Sequence, residues 1–439
     1  MTSRQKKTIL LLGDVIALVG ALALTMLLRY GPSFFNLQFT IHLPRFAFIF
    51  LVFIVSLYIN QLYDLNLKVR SSTFLRRTIN TLVSAGLVSI IYFYLSISSD
   101  ISPKTNLAIF IAVFLFFFSV WRFTFQAFSS LKAKNGLAII GDNEKTKVVI
   151  SEIQKNPGAG YSLEMVVKTR DQFSELARRI TTSEIKTVVL CDDFDPKTTG
   201  PFLLSLLPYQ ISVANYPDFY EDITHKIPVE ALGTEWFLEN LKEGNRAYFQ
   251  FIKRVIDVSL SGFILIITLP LWAVIATAIR LESDGPVFFK QVRLGRQGKK
   301  FVIYKFRTMK TENNDESMTK EKDDRITTIG HFLRKTRLDE LPQTINILKG
   351  EMSFIGPRPE RPELASELEE SVPFYNVRLI VKPGLSGLDQ VSGEYHSPSR
   401  SDTLKKLQHD LFYIKNRSVY LDSVIALKTI ATVFKGYGR

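Results

Sequence analysis

Four apolar runs near the start of the chain constrain its fold more than any other feature. Ile9 to Leu28, Phe46 to Leu62, Ile79 to Ser98 and Leu107 to Phe125 each approach the length of a bilayer crossing and are nearly free of charge. Such runs bury poorly in water, whereas in hydrocarbon a helix satisfies its own backbone polar groups. Four transmembrane helices are therefore expected over residues 1–130, in keeping with a hydrophobic content of 46% and 34 phenylalanines in 439 residues. The first run is expected to be a retained helix rather than a signal peptide. No small-residue cleavage site precedes Arg29, and Asp14 within the run is expected to face neighbouring helices. Arg4, Lys6 and Lys7 precede the first run, Lys68, Arg70, Arg76 and Arg77 separate the second from the third, and Lys132 and Lys134 follow the fourth. The positive-inside rule then puts the N-terminus and everything after the fourth run in the cytoplasm.

From Gly136 the periodicity changes. LAIIGD, YSLEMVVKT, KTVVLCDD and ISVANYP read as strands, separated by the helical runs EKTKVVISEIQKN, DQFSELARRI and PFLLSLLPY. This alternation predicts a parallel, Rossmann-like α/β domain over residues 131–235. Its first turn keeps only Gly141 of a G-x-G-x-x-G phosphate loop, with Asn143 to Lys145 filling the rest. A degenerate, CoA-binding-like domain without a dinucleotide is expected, one that regulates, dimerises or spaces its neighbours. The missing loop, and the lack of a Tyr-x-x-x-Lys pair on a soluble helix, argue against a nucleotide-sugar dehydratase. The single cysteine, Cys191 in the apolar strand TVVLC, rules out an internal disulfide. Five scattered histidines give no metal-ligand spacing, which leaves oxygen-ligated ions such as magnesium.

Val255 to Ile279 is again long enough to span, yet Pro270 interrupts it. Lys253 and Arg254 stand before it, and Arg280, Lys290, Arg293 and Arg296 after. Two basic ends suit a re-entrant helix-break-helix that returns to one face, and a kinked fifth crossing is the other reading; the residues alone leave both open. The formal charge of +13 would suit nucleic acid, anionic lipid or phosphorylated molecules, so its location matters more than its total. Much of it falls on VFFKQVRLGRQGKKFVIYKFRTM, two β-like runs around a turn, where Lys305 and Arg307 are two apart and share a strand face. A polar segment from Lys310 to Asp323 follows.

The stretch from Arg334 to Glu360 carries the densest chemistry. The carboxylates Asp339 and Glu340 precede a short run with Leu341, Ile345 and Leu348 at helical spacing; Pro342 suits a first turn and Gly350 an exit. The pair is expected at a helix N-terminus, with Arg334 and Lys335 one turn's reach ahead. That setting favours anions and suits a phosphate or a metal–phosphate complex, while an ordinary helix cap is the plainer reading. Nearer the C-terminus, Leu404 to Tyr413 reads as a core helix and Leu421 to Phe434 as one that could lie at a membrane surface, with Lys428 and Lys435 available to lipid phosphates.

Three motifs in succession, DGPVFFKQVRLGRQGKKFVIYKFRTM, DDRITTIGHFLRKTRLDELPQTINILKGEMSFIGPRPE and VKPGLSGLDQVSG, resemble the bacterial sugar transferase family over about residues 250–439. These are monotopic phosphoglycosyl transferases, or polyprenyl-phosphate hexose-1-phosphate transferases. The preceding helices and degenerate domain look like the large subclass that begins O-antigen, capsule or exopolysaccharide repeat units. The resemblance implies a membrane protein of three parts: four transmembrane helices, a Rossmann-like cytoplasmic domain, and a monotopic catalytic domain over residues 236–439 with a re-entrant helix at about 255–279 broken at Pro270. It implies the bacterial inner membrane with the active site on the cytoplasmic face, UDP-sugar and undecaprenyl phosphate as substrates, membrane lipids around them, a homodimer, and no nucleic acid. Asp339 would be the nucleophile and Glu340 its partner, the two holding magnesium. Arg334, Lys335, Lys305 and Arg307 would bind substrate, and Pro357, Arg358 and Pro359 the nucleotide. Two departures stand out: Leu269-Pro270 replaces the usual Ser-Pro break, and Ser392 and Glu394 replace an asparagine and a basic residue. A catalytically idle regulator that senses nucleotides through the Rossmann-like domain is the alternative, opposed by the intact carboxylate pair.

Overall fold

In the computed structural model, which describes residues 3–65, 67–95, 103–131, 135–182, 184–191, 196–209, 211–241, 246–310, 323–393 and 399–434, the first two apolar runs belong to one helical element, α1 (Ser3–Ile59). Lys132, Lys134, residues 96–98 of the third run, most of the polar segment after Lys310, Glu394 and Lys435 lie outside the described residues. The helix α1 leaves helical geometry only at Gly31 (φ 74°, ψ 171°), a conformation open to a residue without Cβ, and Pro32 restarts it. The chain doubles back there. Asp14 meets Arg122 and Arg29 meets Asn106, whereas His42 meets Asn106 and Leu62 meets Arg122. The two halves of α1 thus run in opposite directions along α3 (Pro103–Leu131), with α2 (Ser72–Leu95) beside them.

Phenylalanines fill the seam: Phe46, Phe53, Phe110, Phe114 and Phe118 are all buried, with edge-on contacts such as Phe53 to Phe114 at 5.1 Å between ring centres. Asp14, read from the sequence as facing its neighbours, pairs with Arg122 at 2.6 Å in the same apolar bundle. A buried charge of either sign needs such a partner.

The α/β alternation forms a four-stranded parallel sheet in the order β2-β1-β3-β4. Its elements are β1 (Asn135–Ile140), α4 (Glu144–Lys155), β2 (Tyr161–Val167), α5 (Phe173–Thr181), β3 (Thr187–Leu190), α6 (Pro196–Ser205), β4 (Ser212–Asn215) and α7 (Tyr216–Thr224). Ala138, Ile140, Val188 and Leu176 make its core. At the switch point between β1 and β3, Asn143 caps α4 by accepting from Thr146 N at 3.1 Å and donates to Cys191 O at 2.9 Å. Residues 1–224 form one compact unit and 225–439 a second.

The second unit begins with Ile227 and Val229 already in its core, followed by α8 (Thr234–Asn240) and the long α9 (Ala247–Glu282). Pro270 lies inside α9, which is helical on both sides of it. A proline removes a single hydrogen bond, which is too little to end an apolar helix packed along both halves. Before Pro270, Lys253 bonds Asp422 at 2.5 Å and Arg254 donates to Ile347 O and Leu348 O. Beyond it, Trp272, Ile275 and Ile279 pack against Phe306 and Leu333. The crest between is bare: Phe263, Ile266 and Ile267 are 62%, 77% and 60% exposed.

An antiparallel hairpin follows, β5 (Phe288–Leu294) with β6 (Lys300–Phe306). Next come α10 (Thr328–Thr336), α11 (Gln343–Lys349), β7 (Ser353–Ile355), α12 (Pro362–Ser371), β8 (Gly384–Ser386, parallel to β7), α13 (Arg400–Asn416) and α14 (Val419–Phe434). Leu404, Leu407 and Leu411 of α13 are buried, as its pattern predicted. Gly356 and Gly384 stand back to back where β7 ends; a Cβ on Gly384 would lie 2.1 Å from Gly356 N. That closeness leaves little slack in the loop that starts there.

Candidate active site

The site grows out of the end of α10. Thr327 caps that helix by accepting from Gly330 N at 2.9 Å, and Glu282 from the end of α9 accepts from Thr328 N and Ile329 N. The helix stops at Arg337, whose backbone is left-handed (φ 58°), an uncommon state for a residue with a Cβ. The reversal delivers Leu338–Glu340 as a single 3-10 turn. Asp339 and Glu340 therefore sit on this turn, immediately ahead of α11. Leu341 and Ile345 face Trp272, Ile275 and Ile279, which fixes the turn against α9.

Cations, not a helix end, dominate the electrostatics. Lys305, from β6, donates to Glu340 Oε1 at 2.7 Å; Arg337 lies 3.7 Å from Oε2 and Arg358 3.9 Å from Oε1. Burial opposes ionisation of Glu340, but Lys305, Arg358 and Arg337 outweigh it and hold its pKa down to about 2. Asp339 goes the other way. Burial and the neighbouring Glu340 charge raise its pKa above the ordinary carboxylate range, against the pull of Lys305, Arg337 and Arg334. Its Oδ1 is buried without a hydrogen-bond partner. Four cations thus face two carboxylates, and one carboxylate oxygen is left unanswered.

The other expected residues divide. Arg334 is anchored to Thr308 Oγ1 at 3.0 Å with its charge felt at Asp339, while Lys335 is exposed on α10 and takes no part in the cluster. Arg307 is diverted: its guanidinium donates to Ser283 O and Asp284 O, each at 2.6 Å, and so ties the end of β6 to the end of α9. Lys305 alone of that strand pair reaches the site, because Arg307 stands just past the strand's end.

Pro357, Arg358 and Pro359 form a loop held through its carbonyls. Gly384 N donates to Pro357 O at 2.9 Å, Arg378 to Arg358 O at 2.9 Å and Arg293 to Pro359 O at 3.1 Å. Arg378, buried, also pairs with Asp410 at 2.7 Å and bonds Tyr375. Lys406 bonds Glu360 next door and, with Arg378 and Arg358, outweighs burial to hold the Glu360 pKa near about 2. The loop is thereby held while the Arg358 side chain stays 38% exposed. A shallow depression beside it is lined by Leu294, Pro357, Arg358, Pro359, Tyr375 and Leu379. Sequence reasoning missed Arg337, although it stands two residues before Asp339; helical spacing singled out Arg334 and Lys335 instead. It also missed Arg293, Arg378 and Asp410, which carry no local signal.

Fold and site together define an α/β body with a long apolar helix and a carboxylate pair inside surplus positive charge. The chain belongs to the family described as Bacterial sugar transferase, whose pattern matches residues 248–436. Over 192 residues it is 43% identical to the UDP-N-acetylgalactosamine-undecaprenyl-phosphate N-acetylgalactosaminephosphotransferase of Aeromonas hydrophila, covering 43% of this chain and 45% of that protein. It is 41% identical over 194 residues to the UDP-glucose:undecaprenyl-phosphate glucose-1-phosphate transferase of Escherichia coli (strain K12), covering 43% of this chain and 40% of that one. The Exopolysaccharide production protein PSS of Rhizobium leguminosarum bv. phaseoli is matched over 94% of its length at 38% identity, using 41% of this chain. The match thus spans less than half of the first two relatives, and the family pattern falls on the second unit of this chain.

Proposed function

We propose that this chain moves a sugar 1-phosphate from a UDP-sugar to undecaprenyl phosphate and releases UMP, the first membrane step of O-antigen, capsule or exopolysaccharide synthesis. The observation that carries the reading is the orphaned, less acidic carboxylate of Asp339 inside a cage with more cations than carboxylates. An anionic nucleophile can approach a diphosphate only where such charge offsets the repulsion.

In the first displacement an Asp339 carboxylate oxygen bonds the sugar-bearing phosphorus, and the bond from that phosphorus to the bridging oxygen breaks, so UMP leaves with the electron pair. In the second, an oxygen of undecaprenyl phosphate attacks the same phosphorus and returns Asp339 as carboxylate. Lys305 stays with Glu340, while Arg337 and Arg358, loosely paired and partly exposed, turn to the diphosphate. The depression beside Arg358 suits the nucleoside.

Asp339 and Glu340 would hold magnesium. Among the described residues no third His, Cys, Asp or Glu joins them in a metal-binding group, so phosphate oxygens and water would complete the shell, the usual manner of this ion. Bound there, the ion would neutralise phosphate charge.

The bare crest of α9 would enter one leaflet and bring the site to the lipid phosphate. Contacts from both halves of α9 to the same α/β body support a re-entrant path, since a crossing helix would carry one half away from it. The N-terminal helices would cross the bacterial inner membrane, with the site on its cytoplasmic face. The relatives' names differ in the sugar, N-acetylgalactosamine or glucose, and leave the donor to experiment.

The test is UMP release by nanodisc-held protein given undecaprenyl phosphate, magnesium and a panel of UDP-sugars, beside Asp339→Asn. Release that requires the lipid phosphate and disappears in the variant is the expected result. Folded protein that releases no UMP from any donor would refute the reading.

A further inference from the structure

We propose that Asp257 of the membrane helix α9 is a positioning residue for the donor-binding loop; the inference rests on the transferase reading above. Asp257 is only 4% exposed and lies among Val255, Ile256 and Val258, one turn after Lys253 and Arg254 and ahead of the long apolar stretch of the helix. Its Oδ1 accepts two hydrogen bonds, from Ser353 Oγ at 3.0 Å and from Phe354 N at 3.1 Å, both at the start of β7. Packing alone would be better served by leucine, because a buried carboxylate is costly unless its acceptors are used.

The strand so gripped is short. β7 ends at Ile355, and the chain passes through Gly356, backed against Gly384, into Pro357 and Arg358. With no slack at that glycine pair, the depth at which α9 holds Ser353 sets where the Arg358 guanidinium emerges. A second tie runs alongside the first: the Tyr413 hydroxyl donates to Asp422 at 2.9 Å with Ile355 O 3.2 Å away, and Asp422 bonds Lys253 of α9 at 2.5 Å. The far half of α9 holds the opposite wall, through Arg307 at its end and Phe306 beside Lys305. The two halves of one membrane-seated helix therefore register both walls of the site, and Asp257 is its grip on the donor side.

Double displacement makes this testable, because kcat/KM for each substrate reports its own half-reaction. With UDP-N-acetylgalactosamine or UDP-glucose, whichever supports release, Asp257→Leu is expected to lower donor kcat/KM about tenfold and leave undecaprenyl phosphate kcat/KM within about twofold. Asp257→Asn keeps an oxygen in the Oδ1 place and is expected to restore the donor value. Native donor kinetics in Asp257→Leu would overturn the proposal, and so would equal losses for both substrates with no rescue by Asp257→Asn. If Asp257→Leu fails to accumulate, Ser353→Ala decides: it removes one of the two donors, and a donor-specific loss of about threefold is expected. Unchanged kinetics there sink the proposal. Native protein that releases no UMP fails the transferase reading itself, an outcome distinct from all of these.

Discussion

The two α/β parts of this chain end in crevices of opposite character. At the switch point of the parallel sheet, where such folds receive a nucleotide, Asn143 satisfies its own surroundings by capping α4 and bonding Cys191 O. Around Asp339 the groups are not balanced: an oxygen without a partner sits among more cations than carboxylates. On the proposed reading, the contrast puts the phosphate site where charge is left unanswered, which is costly to keep, rather than at the switch point of the nucleotide-type sheet.

Replacing Asp339 attacks the contrast most directly. Asp339→Asn is expected to cut UMP release by at least about a thousandfold and to abolish any phosphosugar adduct visible by intact-protein mass. It should also raise the thermal midpoint at neutral pH. A carboxyl whose folded pKa lies above its unfolded value holds protons more tightly when folded, so it costs stability at pH 7, and the cost fades as pH falls through the folded value. A variant both dead and less stable would mean that the carboxylate supports the fold instead.

Lys305→Met strikes the other half of the pair. It leaves Glu340 buried without its 2.7 Å partner and is expected to cost about 2 kcal/mol in denaturant unfolding, together with much of the activity. Glu340 has the opposite sign to Asp339. Its folded pKa of about 2 lies below the unfolded value of about 4.3, so its stabilisation is present above the upper figure and lost as pH falls towards the lower. Midpoints measured across that window should show a shallower acid loss in Lys305→Met than in the native chain.

Arg337→Ala tests the surplus charge. Donor KM is expected to rise about tenfold with little change in stability, because the side chain is partly exposed and its ion pair is long. Protonated Asp339 cannot attack, so donor kcat/KM should fall as pH drops through its raised pKa. Removing Arg337, one of the cations that lowers that pKa, should move this limb to higher pH. A limb that stays in place would detach Asp339 from the pH dependence.

The smallest effect is expected at the closed crevice. Asn143→Ala should cost about 1 kcal/mol as a lost helix cap and leave UMP release within about twofold. Titration of the full chain with NAD would break the comparison if it gave saturable binding.

What the sequence determined by itself is local and periodic. The apolar runs, the strand–helix alternation, the adjacent carboxylates and the Pro357-Arg358-Pro359 loop are all written within short windows, where spacing alone fixes which residues share a face or cross a bilayer. The tertiary structure decided which distant groups meet. Gly31 folds two apolar runs into one reversing element, Asp14 finds Arg122, Lys305 reaches Glu340 across 35 positions, and Arg307 turns away to the end of α9. Arg337 joined the site only because its left-handed backbone swings the carboxylates off the helix. Such meetings depend on where separate elements dock and at what register, and ion pairing falls off within a few ångströms, so no pattern of spacing along the chain encodes them.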